Sequence, residues 1–111
     1  MNRLTKGTAV VGALQVGTEN MVYKIDFGTI SLDPPSIGAT TRGSVTFTLT
    51  GASTTDIIVM NPPSGLNDDL IFVGAAVTAA NTVTVYLYNP TAGSINDTAN
   101  TWSYLWVDTT A

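Results

Sequence analysis

The chain is 111 residues long, enough for one domain whose core needs no covalent staple. It contains no cysteine and no histidine, which excludes disulfides, zinc–thiolate sites, cysteine nucleophiles and the commonest general base and metal ligand together. The net charge is -4 and charged residues are only 11% of the chain, against about a quarter in ordinary domains, which argues against nucleic acid as a partner and suits a subunit packed against something.

Three of the four cations (Arg3, Lys6 and Lys24) lie in the first 24 residues; Arg42 is the fourth. Arg3 and Lys6 therefore mark a candidate electrostatic arm, beside the plainer reading of a solvated terminus. The apolar run over residues 7–16 is too short to span a membrane, and Gln15 and Glu19 stand where a signal-peptide cleavage site would need small residues. Glycines at 7, 12 and 17 argue against a stable helix, so residues 1–20 are expected as an extended arm or an extra edge strand. Residues 21–111 are expected as the folded domain.

From Tyr23 the pattern alternates, with Tyr23, Ile25 and Phe27 on one face and Lys24 and Asp26 on the other. Gly28 interrupts it, as a bulge or a close backbone approach would. Asp33-Pro-Pro-Ser-Ile-Gly is a turn, because proline fixes its own φ and extends the residue before it. Ser44-Val-Thr-Phe-Thr-Leu-Thr is the clearest strand, with Val45, Phe47 and Leu49 inward and Thr46, Thr48 and Thr50 outward. Asp56-Ile-Ile-Val-Met reads as a short, more fully buried strand that the prolines of Asn61-Pro-Pro end. The run from Asp69 predicts a strand bent or bulged at Gly74, and Ala79-Ala-Asn81 turns into the next.

The last third holds five of the nine aromatic residues, so it anchors the core. In Asn81-Thr-Val-Thr-Val-Tyr-Leu-Tyr-Asn-Pro, Val83, Val85 and Leu87 face one side and Tyr86 and Tyr88 the other. In Thr101-Trp-Ser-Tyr-Leu-Trp-Val, Trp102, Tyr104 and Trp106 share one face, and Leu105 and Val107 the other. A sandwich strand normally keeps one wet face, so two apolar faces imply that one packs the core and the other meets a neighbour. Tyr86, Tyr88, Trp102, Tyr104 and Trp106 are the candidate subunit interface. These six or seven antiparallel strands, with little or no helix, close as an all-β sandwich or flattened barrel.

Catalytic chemistry finds no footing. Serines lack a base, and Asp68 and Asp69, adjacent in a polar turn, do not form a dyad on one face. Asn67, Asp68 and Asp69 supply too few oxygens, without an EF-hand spacing, for a calcium site. Asn96-Asp97-Thr98 matches a glycosylation triplet, and an Asx-turn explains it equally well. Neither a cofactor nor a resident metal is expected.

The stretch Val77-Thr-Ala-Ala-Asn-Thr-Val-Thr-Val-Tyr-Leu-Tyr-Asn-Pro-Thr-Ala-Gly-Ser-Ile-Asn-Asp, closing on Thr101-Trp, resembles the C-terminal half of small β-sandwich virion proteins of tailed bacteriophages. Ile25-Asp-Phe-Gly-Thr-Ile, the Thr-rich strand and Asp56-Ile-Ile-Val-Met-Asn-Pro-Pro fit the same pattern, so the resemblance covers residues 23–107. It implies a structural, non-enzymatic role on the virion, as a capsid decoration (cement) or head-fibre protein. The implied partners are the major capsid protein or other virion proteins, with copies of the chain assembling as trimers or arrays. Arg3 and Lys6 then become a candidate capsid-contacting arm. A tail- or head-fibre module recognising a host-surface glycan is the alternative. No functional residues transfer, because the shared pattern is fold-forming.

Overall fold

The computed structural model describes residues 14–16 and 20–109, with side chains described from Val22. The arm residues Arg3 and Lys6 lie outside the described residues. Within them, β1 (Leu14–Val16) and β2 (Asn20–Val22) pair antiparallel as a small sheet of their own. Six longer strands follow: β3 (Lys24–Leu32), β4 (Thr41–Thr48), β5 (Ile57–Asn61), β6 (Ile71–Ala79), β7 (Thr82–Asn89) and β8 (Asn100–Asp108). They form two three-stranded antiparallel sheets, in the orders β3-β8-β5 and β4-β7-β6. No helix occurs among the described residues. The architecture is the expected all-β sandwich.

Alternation decides what fills the space between the sheets. Val83, Val85 and Leu87 of the central strand β7 point inward, with Phe47 and Val77 beside Val83 on the flanking strands. From the other sheet come Trp102 and Trp106 of β8, Met60 of β5 and Leu32 of β3. The two indoles are the largest fully buried side chains, at 1% and 2% exposure. Phe72 meets Trp102 edge-on, with ring centroids 5.4 Å apart.

Both glycine expectations are resolved in space. β3 runs unbroken through Gly28, where a Cβ would come within 2.9 Å of the Tyr104 hydroxyl, so this is a close approach. At Gly74 the register of β6 on β7 shifts, leaving Val73 unpaired as the extra residue of a bulge.

β5 departs from expectation. Its pairing with β8 alone makes it an edge strand, and Ile57 and Val59 point outward and stand half-exposed. An unbroken apolar run does not reveal which of its two faces has a sheet to cover it.

Polar residues lock the loops to this frame. Asn81, in the left-handed region at φ 62° that Asn tolerates, turns β6 into β7. Its side chain accepts from the Gly51 amide at 2.7 Å, and its backbone bonds to Leu49 and Ala52. Asn89 is fully buried, and its amide group donates to the carbonyls of Ile37, Gly38 and Gly93. Its oxygen accepts from the amide and hydroxyl of Thr91, so every polar capacity is used.

Asp56 fastens the end of β8 to the start of β5. It accepts from the Trp106 indole N–H at 3.0 Å, the Ser53 amide at 2.9 Å, and the amide and hydroxyl of Thr109. Burial alone would push its carboxyl up. The bonds from Ser53, Thr109 and Trp106 together outweigh that and hold it below its ordinary value of 3.8. A depressed folded-state value stabilises the fold above the unfolded value, and that stability is lost as pH falls through the folded one. Asp56→Asn, which turns an acceptor into a donor facing other donors, should therefore cost about 2–3 kcal/mol in urea unfolding at pH 7. The gap from wild type should narrow as pH drops below 3.8.

Candidate functional site

Because β8 is the central strand of its sheet, both its edges are paired, to β3 and to β5. Its even-numbered residues Trp102, Tyr104 and Trp106 look inward, so Leu105 and Val107 must look out. The registers then align two cross-strand rows on the outer face. One row is Ile25, Val107 and Ile57; the next is Phe27, Leu105 and Val59. Directly opposed side chains sit about 4.5–5.5 Å apart between Cβ atoms, so each row is a continuous apolar strip. Phe27 is 80% exposed and Ile25 56%, values that set them apart from any core residue. The six side chains expose on the order of 500 Å² together, at the upper end of what soluble monomers present.

Polar residues bound the patch at one end. The next row outward is Thr29, Ser103 and Asn61, followed by Ser31 beside Thr101. No ionisable side chain stands at an outward position of β3, β5 or β8. Lys24 and Asp26 lie on the opposite side of β3, where the Lys24 ammonium sits 4.4 Å from the centre of a Trp106 ring. The alternation of β3 is therefore as expected, with its apolar residues turned to solvent.

The outer face of β4-β7-β6 is chemically different. Ser44, Thr46 and Thr48 of β4 stand beside Tyr86, Thr84 and Thr82 of β7. Thr84 shares a 2.7 Å hydrogen bond with Thr78. Tyr86 and Tyr88 continue this face, and the Arg42 guanidinium covers the Tyr86 ring at 4.7 Å. Ile71 and Val73 are exposed beside them. This surface is largely hydroxyl-bearing, as a solvated sheet face should be.

The residues expected at a subunit interface are thus divided. Trp102 and Trp106 fill the core, and Tyr104 packs against it with its ring 5.9 Å from that of Phe47, leaving the two indoles no surface to offer a neighbour. Tyr86 and Tyr88 belong to the far side of the other sheet. The exposed apolar face of β8 is the one carrying Leu105 and Val107. This corrects the side on which a neighbour was sought, because the larger rings claim the larger interior volume. Asp68 and Asp69 are exposed in a turn closed by the Asn67 side chain accepting from the Asp69 amide at 2.8 Å. Asp97, in the glycosylation-like triplet, accepts from the amides of Thr98 and Asn67. Both arrangements are loop-forming.

Comparison of the chain with family models, curated proteins and solved structures finds no match.

An exposed apolar residue contributes little to folding. In protein dilute enough to be monomeric, Phe27→Ser should therefore change the unfolding free energy by no more than about 0.5 kcal/mol, whereas Trp102→Ala should cost about 3–5 kcal/mol. Chemical denaturation followed by circular dichroism measures both, and a comparable loss in the two variants would contradict the assigned face.

Proposed function

We propose that the protein is a non-enzymatic structural subunit of a tailed-phage virion, a capsid decoration protein that binds the head surface and assembles with copies of itself. The observation that carries the assembly role is the uncharged apolar face built from β3, β8 and β5. Such a patch on a chain with few charges is a surface that gains free energy by being covered. The virion assignment rests on the resemblance over residues 23–107. The partners are the major capsid protein and further copies of this chain.

A glycan-binding fibre module needs exposed aromatic planes on which sugars stack. Both indoles are committed to the core, Tyr86 is covered by Arg42, and the exposed Phe27 ring stands in an apolar row with Leu105 and Val59. The packing role therefore has the better physical support.

Purified protein mixed with undecorated phage heads should co-sediment with them and saturate at a fixed number of copies per head. Deleting residues 1–13 should weaken that binding if the basic segment reaches the capsid. Absence of binding to heads, together with retention on host cell-wall glycan, would replace the decoration reading with the fibre one.

A further inference from the structure

We infer that the outer face of β3-β8-β5 is a self-association site, covered by the same face of a second copy in a two-fold arrangement. This deepens the assembly reading above and is independent of which virion surface the protein occupies. Three observations commit the face to a second copy.

The first is charge. A chain carrying -4 repels its own copies, yet the outward positions of these three strands hold no ionisable side chain. Two copies meeting here bring no like charges into contact, and a partner of opposite charge finds nothing on this face to recognise. The second is shape. The rows Ile25–Val107–Ile57 and Phe27–Leu105–Val59 lie across a three-stranded surface with the central strand in the middle of each row. Such a surface is complementary to itself, and sheets stack face to face at about 10 Å when side chains interdigitate. Phe27, the most exposed of the six, supplies the projecting aromatic anchor that interface centres favour. The third is area. With on the order of 500 Å² contributed by each copy, a pair buries about 1,000 Å², which meets the floor for a biological interface and suits a weak, reversible one before any rim is counted. The opposite outer face is rich in threonine hydroxyls and carries the Arg42 charge.

The full-length chain tests this directly, by sedimentation equilibrium over a wide concentration series. Wild type should show a reversible twofold mass. Phe27→Asp on β3 and Val59→Lys on β5 should each raise the dissociation constant by about 30-fold or more. Both positions are exposed, so native circular dichroism should be retained, and the use of two strands guards against one variant misfolding. The chain contains no cysteine, so Leu105→Cys introduces a unique thiol near the expected two-fold axis. Its oxidation should give a linked dimer that the added Phe27→Asp change suppresses. A wild-type monomer at every concentration would overturn the inference, as would an oligomer indifferent to both charge variants. A threefold mass would overturn the two-fold arrangement. Association seen only after deletion of residues 1–13 would also overturn it, by making the chain's own amino-terminal segment the occupant. Head binding measured on the same samples separates the two readings. A monomer that binds heads removes only self-association, and a dimer that ignores heads removes only the decoration role.

Discussion

Two indole rings on one side of one strand constrain everything else. Trp102 and Trp106 are four residues apart on β8, and strand geometry puts them, with Tyr104 between, on the same face. Once that face is the one between the sheets, the period of two sends Leu105 and Val107 outward. A one-residue slip would reverse every side chain on the strand, so the choice is all or none. The bond from Trp106 to Asp56 holds that choice in place, because the buried indole N–H would be left unsatisfied without that carboxylate. Since β8 pairs with β3 on one side and β5 on the other, its parity propagates outward in both directions. Ile25, Phe27, Ile57 and Val59 are exposed as a consequence.

The two outer faces of the sandwich therefore differ in kind. One carries hydroxyls, which water satisfies. The other carries hydrocarbon in two aligned rows, without a charge to hold it in water. An isolated exposed leucine needs no explanation, but six contiguous apolar side chains across three strands do. The same low charge that makes the composition unusual is concentrated into this face, which ties composition to assembly.

Much of the fold was legible in the sequence because its signals are local. Alternating Val45-Thr-Phe-Thr has one polar and one apolar side, so its inward face follows directly. Gly74, at the bulge, and Gly28, in an unbroken strand under Tyr104, both stand where a missing Cβ announces a special backbone position. In β8 the period was legible but its sign was not, since both faces are apolar and periodicity has no direction. Residues 57–60 looked buried for the same reason, and only the long-range pairing with β8 makes β5 an edge. Asn89 and Asp56 were illegible as locks, because the groups they satisfy lie up to 53 residues away along the chain. The exposed face is a tertiary object assembled from three separate segments, each of which reads singly as ordinary strand.

The most direct measurement of this arrangement is acrylamide quenching of the intrinsic tryptophan emission through a dilution series, because the only two tryptophans both lie on the decisive face of β8. Rings held inside each protomer should emit at short wavelength and resist quenching at every concentration, with exposure arriving only on unfolding. Quenching that rises on dilution, while circular dichroism stays native, would place the indoles between subunits and reverse the assignment of both faces.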